Sequence, residues 1–170
     1  SGQRLDPPEI LRLFAARDAD YRHVTGAANA LRQAVSGDVI RYVVNRNINY
    51  TNICYFRCRF CAFSKGRTHE DLRGAPYDLA LDEVKRRAVE AWERGATEVC
   101  MQGGIHPDYT GETYVAICKA IKEAVPGMHI HAFSALEVTQ GASTLNQPIP
   151  AFLASLQQAG LEAHEIDAAG

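Results

Sequence analysis

The chain reads as an α/β protein, a run of parallel βα units forming an incomplete TIM-type barrel with two helices in front of it. Three observations predict this. Apolar residues change from helical spacing to alternation near residue 39, then switch between the two patterns down to the C-terminus. Glycine or proline closes the helical stretches, as short helix-to-strand connections require. Three cysteines crowd into the loop after the first strand, at the kind of strand end where such barrels place their sites.

Pro7 and Pro8 open the first helix, which carries Ile10, Leu11, Leu13 and Phe14 on a broad apolar face. A second helix is predicted over Asp20–Ser36, with Val24, Ala27, Ala28, Leu31 and Val35 at helical spacing and Gly37 as its stop. From Val39 to Ile48 the period becomes two, with Ile40, Tyr42 and Val44 on one face, which predicts a strand. Asn45, Asn47 and Asn49 alternate onto its other face. A helix capped by Asp82 is predicted to run to about Arg94, with Val84, Ala88, Val89 and Trp92 inward and Gly95 ending it. Thr97–Met101 reads as a strand closed by Gly103 and Gly104. Glu112–Val125 reads as a helix with Tyr114, Ile117, Cys118, Ile121 and Val125 on one stripe, stopped by Pro126 and Gly127. Met128–Phe133 makes a third strand and Pro150–Ala159 a further helix ended by Gly160, with the start of a fourth strand near Leu161–Ile166. Alternation of this kind implies crossover units on a parallel sheet.

The unit count is short, since a closed eight-unit barrel takes roughly 250 residues. The expectation is therefore a piece of a longer polypeptide, divided into a helical extension over 1–37 and a truncated barrel over 38–170. A net charge of −2 argues against a nucleic-acid platform. No apolar run reaches membrane-spanning length, and the start of the chain has no signal-peptide core. Five cysteines, three of them clustered, suit a reducing cytoplasm better than a disulfide scaffold.

Cys54, Cys58 and Cys61 form a Cys-x3-Cys-x2-Cys array. A four-iron cluster has four iron corners, and electron-transfer clusters cap each with a thiolate. Three thiolates leave one corner for a small molecule, as a catalytic zinc keeps one position free. Arg57, Arg59, Lys65, Arg67 and Arg73 outnumber Glu70 and Asp71 in and after the loop. They either form a solvated basic surface or offset an anionic cluster and dock an acidic electron donor. The rival metal is zinc, with His69 as the nearest fourth ligand and no second knuckle, in a binding module without catalysis.

The Cys-x3-Cys-x-aromatic-Cys motif resembles the radical S-adenosylmethionine superfamily. Residues 47–66, Met101–Pro107 and His129–Ser134 are further similar to the tyrosine-using synthases of deazaflavin coenzyme biosynthesis, which occur alone or as one half of a fused enzyme. The resemblance spans roughly residues 38–140 and implies a 4Fe-4S cluster on Cys54, Cys58 and Cys61, with S-adenosyl-L-methionine on the remaining iron. It implies Phe60 beside the adenine and the Gly103–Gly104 turn at the methionine amino group. One electron through the cluster would yield a 5′-deoxyadenosyl radical. The implied reaction moves the side-chain fragment of L-tyrosine onto 5-amino-6-(D-ribitylamino)uracil. An acidic donor such as flavodoxin or ferredoxin, and a second radical synthase domain, fused or separate, are the implied partners. The nearest alternative is a futalosine-pathway enzyme of menaquinone biosynthesis, which shares similar text around the cysteines.

Around this core, Asn49 and Thr51 are the candidates for lining the site, with Asn45 structural. His106, His131, Ser134 and Glu137 lie near the strand ends, where they could meet substrate or the cofactor ribose; His129 shares a face with His131. Cys100 and Cys118 read as small buried hydrophobes.

Overall fold

The computed structural model describes residues 4–56, 61 and 75–162. The chain separates into two compact units, 1–42 and 43–170.

The first unit holds α1 (Pro7–Ala15) and α2 (Asp18–Ser36). Asp6 caps α1 in a reciprocal box: its carboxylate accepts from the Glu9 amide at 2.8 Å, and the Glu9 carboxylate accepts from the Asp6 amide at 2.9 Å. Gly37 ends α2 at φ 61°, a left-handed conformation that glycine takes without a Cβ clash. Neither helix contains a buried residue, and Leu11, Phe14, Leu31 and Val35 of the expected apolar faces are exposed.

In the second unit β1 (Asn45–Asn49), β2 (Glu98–Gln102) and β3 (His129–Ala132) form one parallel sheet in the order β1-β2-β3. Asn49 is level with Gln102, and Cys100 with both Asn47 and His131. The alternating run predicted as a strand from Val39 becomes one only at Asn45. Its ladder partner explains this, because β2 begins at Glu98 opposite Asn45, and Thr97 donating to the Val44 carbonyl at 2.9 Å is the last bond before it. Val39, Ile40 and Tyr42 are accordingly exposed.

One face of the sheet carries Ile48, Val99, Met101, Ile130 and Ala132, all buried. Against it pack α3 (Leu81–Glu93), through Val84, Ala88 and Ala91, and α4 (Gly111–Ala124), through Ile117, Cys118 and Ile121. The predicted α4 stripe is buried throughout. Trp92 of α3 is instead 44% exposed, its ring over Gly127, and Ala91 takes the inward place. Asp82 is not the cap of α3. Ala80 holds that position without a side-chain bond, and Asp82 and Glu83 bring negative charge to the helix start. Arg46 of β1 anchors α3 from the sheet, donating to Glu90 at 2.8 Å and to the Arg87 carbonyl at 3.0 Å.

After β3 come α5 (Ala135–Thr144) and α6 (Ile149–Gln158). Helix α5 is absent from the expectation above, although Ser134-x-x-Glu137 is a capping-box signature and the structure closes that box. At the expected fourth strand, the Glu162 amide donates to the Ile130 carbonyl at 3.3 Å; residues 163–166 lie outside the described residues. No helix among the described residues is long and apolar enough to cross a membrane.

Candidate active site

The site sits where β1 and β2 end. Past Asn49 the chain continues as Tyr50–Cys54, and residues 75–79 return to zip against it. The Thr51 hydroxyl donates to the Tyr77 carbonyl at 2.8 Å. The Asn52 amide donates to the Ala75 carbonyl at 3.2 Å and accepts from the Tyr77 amide at 2.8 Å. Leu79 donates to the Tyr50 carbonyl at 2.8 Å, and Thr51 and Asp78 form an antiparallel bridge. The cysteine loop is therefore closed at its base by backbone and side-chain bonds.

The turn after β2 is stitched to the same segment. Gly104 donates to the Thr51 carbonyl at 2.9 Å, and Tyr55 donates to the Ile105 carbonyl at 3.1 Å. This approach explains the glycine pair. A Cβ on Gly104 would stand 2.2 Å from the Ile53 carbonyl oxygen and 2.9 Å from the Cys54 Cβ, and one on Gly103 would stand 2.3 Å from the Tyr50 ring. Both glycines are thus required by protein packing, in addition to any closeness to a ligand.

Glu137 ties the third strand end to the other two. Only 1% exposed, its carboxylate accepts from the Tyr50 hydroxyl, from the Gly103 amide at 2.9 Å, and from the Ser134 amide and hydroxyl at 2.7 and 2.6 Å. Burial pushes its pKa above the ordinary carboxylate value, against the pull of these donors. The Tyr50 phenol is raised too, by burial first and then by Glu137, so it stays a proton donor to the carboxylate.

A cavity of about 320 Å³ opens over this framework. Asn47 and Asn49 of β1 and Gln102 of β2 form one wall; Cys54, Phe56 and Cys61 form another. Gly103, Gly104 and Ile105, with Ser134 and Leu136 at the start of α5, also line it. Thr51, Asn52 and Tyr77 close its base, and among the described residues no charged side chain lines it.

The expected site residues divide accordingly. Cys54 (buried) and Cys61 (exposed) meet at the cavity, as do Gly103, Gly104 and Ser134. Glu137 stands behind the wall. Asn49 lines the cavity with its side chain unbonded among the described residues, whereas the Thr51 hydroxyl is spent on Tyr77. Asn45 donates to Glu98 at 3.3 Å, away from the cavity. His106 is buried, stacked on Tyr109 with centroids 4.8 Å apart, and its Nδ1 accepts from the Asp108 amide at 3.1 Å. His129 pairs with Glu162 at 2.6 Å, and His131 is not a lining residue. Cys118 is buried, its thiol pushed up to about 12 by desolvation, and Cys100 accepts from the Gln102 amide at 3.3 Å. Cys58, Phe60, Arg57, Arg59, Lys65, Arg67, Arg73, His69, Glu70 and Asp71 lie outside the described residues. The sequence reading missed Tyr50, Tyr77 and Gln102; only Gln102 had a signal, falling in phase with Cys100 beside the glycine pair.

Two thiols opening onto one cavity fit a thiolate-ligated iron–sulfur group. The Tyr114 hydroxyl adds to the fit, since it is buried and without a hydrogen-bond partner among the described residues. Its pKa is raised by burial first, then by the charges of Glu137 and Cys54.

The profile of the radical SAM superfamily matches residues 48–167. The FO synthase of Streptomyces coelicolor is 48% identical over 159 residues, covering 94% of this chain and 18% of that protein. The 5-amino-6-(D-ribitylamino)uracil–L-tyrosine 4-hydroxyphenyl transferase of Methanosphaerula palustris is 39% identical over 160 residues, covering 94% of this chain and 43% of that protein. The chain thus spans less than half the length of these curated relatives. Among solved structures, methylornithine synthase superposes with a TM-score of 0.61 at 16% identity, over 95% of this chain and 55% of that one. The FeFe-hydrogenase maturase HydG from Carboxydothermus hydrogenoformans gives 0.62 at 17% identity, over 96% and 44%. Those two likenesses speak for the fold. With a cysteine-lined cavity at the ends of parallel strands and a profile match over most of its length, the chain belongs to the radical SAM superfamily and is related to FO synthase and the tyrosine 4-hydroxyphenyl transferase.

Proposed function

We propose that this chain carries the cluster-binding part of an enzyme that transfers the side-chain fragment of L-tyrosine to 5-amino-6-(D-ribitylamino)uracil in deazaflavin coenzyme biosynthesis. The observation that carries this reading is the shared cavity of Cys54 and Cys61 beside the Gly103–Gly104 turn, in a chain 39% identical to the named transferase.

Cys54, Cys58 and Cys61 would hold the 4Fe-4S cluster. With S-adenosyl-L-methionine bound and an acidic donor of the flavodoxin or ferredoxin type supplying electrons, that group would supply one-electron, radical-generating chemistry. The work of this chain's residues is positional. Thr51, Asn52 and Tyr77 close the loop base and so hold the segment that carries Cys54 in place. Gly104 lets the β2 turn lie against the Ile53 carbonyl and the Cys54 Cβ, which holds the turn beside Cys54 at the cavity. Glu137 fixes Gly103 and Ser134 in one place, and Phe60 would cover the adenine. Phe56 and Leu136 present apolar surface at the cavity, which limits water near reactive species.

The test is anaerobic reconstitution with iron and sulfide, followed by incubation with S-adenosyl-L-methionine, a reductant, tyrosine and the ribityl uracil. A tyrosine-derived adduct of the uracil is the expected product. Turnover of a futalosine precursor without that adduct would replace this reading with the menaquinone one, and zinc without iron or sulfide after anaerobic purification would end both.

A further inference from the structure

The sheet face that looks away from α3 and α4 is layered by the strand register. Its lowest layer is Asn45, Glu98 and His129, whose polar groups are used: Asn45 donates to Glu98 at 3.3 Å, and His129 pairs with Glu162 at 2.6 Å. The layers above hold Asn47 beside Cys100, then Asn49 beside Gln102, and these three amides line the cavity. Successive positions on one strand face are roughly 6.6 Å apart and neighbouring strands roughly 4.8 Å apart, so the amides cover an area the size of a single heterocycle. Among the described residues, Asn47 and Asn49 make no side-chain hydrogen bond, and Gln102 spends one N–H on the Cys100 sulfur at 3.3 Å. By contrast Asn52, also in the lining, has both ends of its amide committed to residues 75–77.

A carboxamide offers an acceptor and a donor side by side. That pattern matches the alternating carbonyl and N–H groups of a pyrimidine-dione edge, as asparagine and glutamine do when they read bases. A zwitterionic amino acid instead calls for a guanidinium, an ammonium or a cluster of backbone amides around its carboxylate. Among the described residues, no charged side chain lines the cavity.

We propose that Asn47, Asn49 and Gln102 are the recognition wall for the neutral, imide-bearing co-substrate with its polyhydroxylated chain, and that tyrosine is gripped by other groups. This rests on the function proposed above and assigns its specificity for one of the two substrates to the β1–β2 face.

The test is calorimetric titration of the reconstituted chain, with S-adenosyl-L-methionine present, by 5-amino-6-(D-ribitylamino)uracil and separately by L-tyrosine. Asn49→Leu, Asn47→Leu and Gln102→Leu are each expected to weaken uracil binding roughly tenfold while tyrosine affinity stays within about twofold. Asn49→Asp, equal in size but without the N–H donors, is expected to do the same, which separates lost recognition from lost folding. Asn45→Leu, below the cavity, is expected to leave both affinities in place. Uracil binding unchanged across the cavity variants, or a loss confined to tyrosine, overturns the proposal while a wild-type chain that still forms the adduct keeps the proposed function. A wild-type chain that takes up no uracil overturns both.

Discussion

Glu137 holds three segments that are distant in sequence: the end of β1 through Tyr50, the β2 turn through Gly103, and the start of α5 through Ser134. Removing its carboxylate strands the buried Tyr50 hydroxyl and the part-buried donors of Gly103 and Ser134, and Glu137→Ala should cost about 3 kcal/mol in urea unfolding. Glu137→Gln keeps one acceptor oxygen and should cost less. The thiols divide as sharply. If the proposed cluster is held there, Cys54→Ala, Cys58→Ala and Cys61→Ala should each abolish the sulfur-to-iron charge-transfer absorption of reconstituted protein. Cys100→Ala and Cys118→Ala should retain it, since the Cys118 thiol is buried and held protonated well above neutral pH.

At the scale of elements, the contact between the β2 turn and the cysteine segment decides where Cys54 stands. Gly104→Ala sets a Cβ against the Ile53 carbonyl, a backbone atom that no rotamer change moves aside. The expected loss is about 3 kcal/mol of stability together with reduced iron uptake, measured by thermal unfolding and metal analysis. Helix α3 carries its own pH dependence. Hydrogen bonds from Arg86 and then Arg87 lower the Glu83 pKa to about 2 from an ordinary 4.5. A depressed carboxylate pKa contributes stability that is present above pH 4.5 and lost as pH falls towards 2. The urea midpoint should therefore fall over that window, less so in Glu83→Gln, and the difference should shrink in high salt because the pair is exposed.

At the scale of the molecule, β2 is the strand with a ladder partner on both sides, and β1 has none on its outer side among the described residues. Hydrogen exchange followed by mass spectrometry should find the β2 amides, with Val99 and Met101 fully buried, the slowest in the sheet. Faster exchange in β2 than in β1 would contradict the strand order. The sheet also sorts the chemistry by side. Apolar residues face α3 and α4, and polar residues gather on the other face, where the cavity opens.

By itself the sequence determined the period of each segment, and with it the parallel βα alternation, the buried stripe of α4 and the thiol array, because these are local patterns of spacing and residue type. It misjudged where β1 starts, since a strand exists only where a neighbour supplies its ladder, and β2 begins opposite Asn45. It read Ser134 and Glu137 as ligand contacts when they also close the cap of α5. Only the tertiary structure decided which of two similar side chains is free to recognise a ligand. Thr51 and Asn49 look equally suited in one dimension, but residues 75–79 fold back to occupy the Thr51 hydroxyl and leave the Asn49 amide open to the cavity. Hydrogen-bonding capacity is consumed by whatever long-range packing brings within reach, so the sequence names the donors and the fold determines which remain available.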